Sequence, residues 1–177
     1  MLTQKRVVYW FVGILGAFTL TACTPAYKAL YIPSESMAPT LQLNDRIVAN
    51  LNAYHSEPPQ RGDIVIFKPT EGILQASPEM DTETLWIKRV VALPGETIEV
   101  RKGEVYINNQ PIQEGYILEP PAYVWGPVTV PPNAYVVFGD NRNNAFDSQY
   151  WGFVPRENIL GKVTRRYWPP SRMGAIQ

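Results

Sequence analysis

The sequence predicts a mainly β domain behind one N-terminal membrane-spanning helix, on three observations. Short runs rich in Val, Ile and Tyr recur along the chain, bounded by Gly, Pro or Asn, as in half-buried strands separated by turns. After residue 31 no segment sustains a 3.6-residue apolar period. Residues 7–23, VVYWFVGILGAFTLTAC, carry no charge and follow Lys5 and Arg6.

Residues 1–6 are expected as a cytoplasmic N-terminus and residues 7–23 as a membrane anchor. A run of roughly 17 residues spans about 25 Å as a helix, enough to cross a bilayer with its flanks. Positive charge before the run keeps that end cytoplasmic and delivers the rest to the far side. Leu20-Thr21-Ala22-Cys23 also resembles a bacterial lipobox, whose cysteine is lipidated and becomes the new N-terminus. Both readings tether the domain to a membrane face. Residues 24–31 are expected as a linker and 32–177 as the β-rich domain. Strands are expected at 45–49, 63–67, 85–93, 97–100, 104–107 and 134–138. Asn108-Asn109 reads as a hairpin turn. Residues 73–84 are the best candidate for a mobile excursion.

Composition narrows the function. A chain of 177 residues, 45% hydrophobic, suits one domain with a real core and would be cramped as two. Lys+Arg and Asp+Glu both number 16, with no basic stripe, so nucleic acid is not an expected partner. The single cysteine excludes an intrachain disulfide and a Cys-based metal site. The single histidine, His55, excludes a His-rich metal cluster. A Ser-His-Asp triad would need His55, which sits in the Pro-rich stretch 52–59, a poor place to hold an imidazole rigidly. No cofactor is expected.

Three stretches carry candidate chemistry. In residues 31–41, YIPSESMAPTL, Ser34 and Ser36 are bracketed by prolines that stiffen the backbone. A serine hydroxyl is a weak nucleophile until a base takes its proton; a plain Ser/Pro turn is the alternative. In residues 86–95, WIKRVVALPG, strand alternation puts Lys88 on one face with Trp86, Val90 and Ala92, and Arg89 on the other. A buried lysine loses proton affinity, and a fall of roughly 2–3 units from about 10.4 would make it a base near neutral pH. An edge lysine that snorkels to water is the alternative. Residues 138–152, FGDNRNNAFDSQYWG, form a polar loop able to hydrogen-bond itself into a rigid platform.

Together these segments resemble type I signal peptidases. That family's patterns read Pro-Ser-x-Ser-Met-x-Pro-Thr-Leu, Arg-Gly-Asp-Ile-Val, Lys-Arg-Val-Val-x-Leu-Pro-Gly and Gly-Asp-Asn-Arg-x-Asn-Ser-x-Asp-Ser. They appear in this order at residues 33–41, 61–67 (the second followed by the apolar pair Ile66-Phe67), 88–95 and 139–148. With the anchor and Trp168-Pro169-Pro170, the resemblance covers nearly the whole chain, and it is nearest to compact bacterial and cyanobacterial or plastid members. It implies an antiparallel β catalytic domain that cuts signal peptides from exported preproteins after small residues, of the Ala-X-Ala type. It implies Ser36 as nucleophile, Lys88 as general base, and the Ser34 hydroxyl with the Ser36 N–H as oxyanion hole. Met37 would lie near the scissile bond and Arg89 would pair with Asp140, with Asn141, Arg142, Asp147 and Ser148 supporting the loop. The implied partners are preprotein signal peptides and membrane lipid. The enzyme would be monomeric, its catalytic domain on the extracytoplasmic side of a bacterial or thylakoid-type membrane.

Three positions depart from the pattern. Ala145 stands where the family has a serine that bonds the lysine, Gln149 where many members have arginine, and Asn143 where aspartate is frequent. Lys88 is therefore expected to be held less firmly, with Ser148 as a candidate to compensate. A catalytically weak or inactive homologue acting as a membrane-tethered binding protein is the alternative function. Self-cleaving repressors also use Ser and Lys, but they carry a DNA-binding domain where this chain has its apolar run.

Overall fold

The computed structural model describes residues 26–176. The expected anchor, its flanking charges and Cys23 lie outside the described residues. Within them, no helix is long and apolar enough to cross a membrane.

The chain folds as two antiparallel sheets. Its strands are β1 (Tyr27–Tyr31), β2 (Arg46–Asn50), β3 (Ile64–Phe67), β4 (Trp86–Ala92), β5 (Thr97–Arg101), β6 (Glu104–Ile107), β7 (Gln110–Pro111), β8 (Trp125–Thr129), β9 (Ala134–Phe138), β10 (Val154–Pro155), β11 (Ile159–Trp168) and β12 (Gly174–Ala175). Two short helices are α1 (Glu71–Ala76) and α2 (Ser148–Trp151). The larger sheet runs β1-β2-β11-β3-β4-β9-β10, with β12 on β11; the smaller runs β7-β6-β5-β8. All six expected strands are present, with ends within one residue of the expectation. Asn108 and Asn109 both take positive φ, 49° and 65°, as a two-residue type I′ hairpin turn requires.

β3 and β4 are central and buried on both faces. Val65, Phe67 and Val90 join Trp151 and Val154 in one apolar cluster, while Ile64 and Ile66 join Ile32, Met37 and Leu41 in another. Lys88 pairs with Val65 and so faces the first cluster; Arg89 pairs with Ile64 on the opposite face. The alternation fails one turn later. A register shift between Val90 and Ala92 moves Ala92 into a third cluster with Val91, Val136 and Phe138, so Ala92 does not share the face of Lys88. β9 is buried along its whole length because it serves both sheets: Tyr135 and Val137 pack into the first cluster, Val136 and Phe138 against the small sheet.

Two expectations change. Tyr27–Tyr31, inside the expected linker, is an edge strand paired with β2. The expected excursion begins as α1, capped by the Thr70 side chain accepting from Ile73 N–H, with Ile73 fully buried. α1 lies so close to α2 that a Cβ on Gly72 would stand 2.1 Å from the Trp151 carbonyl oxygen.

Candidate active site

Ser36 lies in a turn between β1 and β2, half-buried, and its neighbours anchor it. Met37 and Leu41 plug into the core and are joined by a Leu41 N–H to Met37 carbonyl bond of 2.8 Å. Ser34 Oγ stands 3.2 Å from Ser36 Oγ. Among the described residues no hydrogen bond occupies the Ser36 N–H.

β4 delivers Lys88 to this turn. Its Nζ donates to Ser36 Oγ at 2.8 Å, and the residue is only 4% exposed. Burial lowers its pKa from the ordinary 10.5 to about 8, against the smaller opposing pull of Asp147 and Asp140. Roughly a quarter of Lys88 is then neutral at pH 7.5, against about 0.1% of an ordinary lysine. A serine bonded to a partly neutral amine can act as a nucleophile.

The loop after β9 braces both residues. Asn141 N–H donates to the Ser36 carbonyl at 3.1 Å, and its side-chain amide donates to the Glu35 carbonyl. Gly139 permits the approach, since a Cβ there would stand 2.3 Å from the Ser36 carbonyl oxygen and 2.5 Å from Ala145 Cβ. Asp140 accepts two bonds of 2.8 Å from the Arg89 guanidinium, a buried bidentate pair. Arg89 also donates to the Gly62 carbonyl at 2.7 Å. Arg142 makes two 2.6 Å bonds to Glu114. Asp147 accepts from the Gly139 and Gln149 N–H groups and is buried; burial raises its pKa to about 6, partly offset by those two bonds. Ser148 Oγ accepts from Val137 N–H at 3.0 Å, which fastens it to β9. Asn143 accepts from Ala122 N–H and donates to Glu119 and the Pro120 carbonyl, a pattern that an aspartate could not complete.

The Ser36–Lys88 pair opens onto a mostly apolar groove of about 330 Å³, lined by Leu30, Ile32 and Ser34 and by Thr84, Trp86 and Lys88 among others. β9 pairs with β4 only from Arg89 onward, so the edge of residues 86–88 on that side has no strand partner among the described residues. A more open cleft beyond the dyad is bordered by Glu35, Asn144 and Phe146. His55 is exposed, and no group of His, Cys, Asp or Glu able to hold a metal occurs among the described residues.

Two participants went unseen in the sequence. Thr40 donates to Asp140 at 2.5 Å and stands 3.4 Å from Arg89; its place inside the 33–41 motif was the available signal. Tyr116 donates to Glu114 at 2.6 Å, and the Arg89 guanidinium stacks 4.0 Å from its ring. No local pattern in residues 113–123 announces that role.

A family model described as signal peptidase, peptidase S26, matches residues 4–168. The chain is 48% identical over 165 residues to signal peptidase I of Leptolyngbya laminosa, covering 93% of this chain and 80% of that protein. It is 50% identical over 172 residues to probable signal peptidase I-2 of Synechocystis, covering 97% and 75%. It is 44% identical over 144 residues to thylakoidal processing peptidase 1 of Arabidopsis thaliana, covering 80% of this chain and 42% of that one. A crystal structure of a signal peptidase I from Enterococcus faecalis superposes with a TM-score of 0.50 at 32% identity, covering 61% of this chain and 98% of that one.

Proposed function

The chain belongs to the signal peptidase family, peptidase S26, and from that premise we propose that it cuts preproteins after Ala-X-Ala-type sites with Ser36 as nucleophile and Lys88 as general base. The observation that carries the reading is the 2.8 Å bond from a buried Lys88 amine to Ser36 Oγ, with the amine's pKa lowered to about 8.

The substrate's extended segment lies in the apolar groove, adding main-chain hydrogen bonds at the open edge of residues 86–88. Ser36 Oγ attacks the scissile carbonyl carbon while its proton passes to Lys88 Nζ. The oxyanion is held by the Ser34 hydroxyl and the Ser36 N–H. The tetrahedral intermediate collapses as Lys88 returns the proton to the leaving amine. Water then attacks the acyl-enzyme carbonyl as Lys88 takes its proton, and the ester C–O bond breaks as Lys88 returns that proton to Ser36 Oγ, releasing the signal-peptide acid. Arg89, Asp140, Asn141, Arg142 and Asp147 hold the loop that supports both residues; Met37 anchors the turn beside the scissile bond; Ser148 fastens α2 to β9. Residues 7–23 tether this domain to a bacterial or thylakoid-type membrane, with the domain on the extracytoplasmic face.

The test is digestion of an exported preprotein by the purified protein, with the cut mapped by mass spectrometry. Cleavage should fall after Ala-X-Ala. Ser36→Ala and Lys88→Ala should each drop the rate below about one-thousandth, and the double variant should be no worse than either, because the two act as a unit. A Lys88→Ala protein that kept more than about a tenth of the rate would contradict the assignment.

A further inference from the structure

The segment after α1 forms part of the groove. Met80 is half-buried and lines the same cavity as Ser36 and Lys88, together with Leu30 and Thr84. Two turns set its direction. Met80 N–H donates to the Ser77 carbonyl at 3.0 Å, and on its other side Asp81 accepts from Glu83 N–H at 2.9 Å and from the Thr84 hydroxyl at 3.2 Å. The base of the segment is fastened by buried Ile73 and by the close packing of Gly72 on Trp151. Met80 is therefore part of a built wall.

Chain spacing bounds how far that wall lies from the cut. Thr84 precedes Lys88 by four residues. At about 3.3 Å per extended residue Thr84 lies within roughly 13 Å of Lys88. That is the reach of the fourth or fifth residue of an extended peptide counted from the scissile bond. The groove on this side is lined mostly by apolar side chains, whereas the cleft beyond the Ser36–Lys88 pair mixes Leu43, Trp86 and Phe146 with Glu35 and Asn144. A signal peptide carries its apolar run before the cut, so this side receives the residues upstream of it.

We infer that Met80 is a specificity-determining residue: it receives the side chain four to five residues before the cut and selects an apolar one, so that the enzyme reads the end of the apolar run as well as the small residues at the cut. The inference rests on the peptidase reading above. A thioether suits the task because it is unbranched and adapts to differing apolar partners, as the varied sequences of signal peptides require.

The experiment uses the full-length protein in detergent and two peptides with the same Ala-X-Ala cut. They differ at the fourth and fifth residues before it, Leu-Leu in one and Ser-Ser in the other. Wild type should favour Leu-Leu by about tenfold in kcat/KM, mostly through KM. Met80→Ser should shrink that ratio to about twofold, and Met80→Leu should restore it. A wild-type ratio near one would overturn the inference. So would a ratio that survives Met80→Ser, including through an equal loss on both peptides. Failure of wild type to cut either peptide would instead sink the peptidase reading, and this inference with it.

Discussion

Lys88 Nζ stands 2.8 Å from Ser36 Oγ, and one bond does not fix a side chain with four rotatable torsions. The position that carries a second hydroxyl in the family's pattern is Ala145, which lies between Asn144 and Phe146 on the border of the dyad's cleft. Ser148 Oγ accepts from the Val137 N–H of β9, and the bond that Lys88 Nζ makes is to Ser36. Ala145→Ser should therefore raise kcat by up to about tenfold, the worth of one hydrogen bond to an amine, without changing which peptides are cut. An unchanged kcat in an active enzyme would show that Lys88 is already held in line by its burial. At this scale the sequence was legible where chemistry sits in contiguous motifs. It was opaque where a bond joins distant residues, as Thr40 does with Asp140 across 100 positions.

The loop of residues 139–148 works as an element, braced from within by Asp147 and against the turn that carries Ser36 by Asn141. Its tightest point is Gly139, where a Cβ would stand 2.3 Å from the Ser36 carbonyl oxygen. Gly139→Ala should cost about 1–3 kcal/mol of stability by overpacking, and should lower kcat about a hundredfold by displacing Ser36 from Lys88. Thermal unfolding and a cleavage assay check both; wild-type values in each would show that this contact does not position the nucleophile. The strands legible in sequence were short runs rich in Val, Ile and Tyr and bounded by Gly, Pro or Asn, β4 among them despite its Lys88 and Arg89. β1 escaped because it is an exposed edge with no apolar alternation. β8 escaped because Gly126 and Pro127 interrupt it, which an edge strand tolerates. β11, the longest, escaped because Lys162, Arg165 and Arg166 break its apolar pattern, and its Gly161 is explained only by the neighbouring Asn50 carbonyl, 2.5 Å from where a Cβ would be.

Across the whole molecule the two sheets meet along β9, and residues 113–123 strap the small sheet's connection onto the loop of residues 139–148 through Glu114, Tyr116 and the contacts of Asn143. This assembly is what buries Lys88: the large sheet supplies its strand, and the braced loop supplies its cover. The depressed pKa is thus a product of the fold, which is why the sequence offered only a range for it. Burial favours the neutral amine, so the base form is lost as pH falls through about 8 and is fully present above it. The measurement that tests the central claim most directly is the pH profile of kcat/KM on one Ala-X-Ala peptide. The Ser36–Lys88 mechanism predicts a rise of about tenfold per unit below an apparent pKa of about 8 and a plateau above it. A limb near 6, where the buried Asp147 titrates, or a flat profile between about pH 6 and 9, would contradict it.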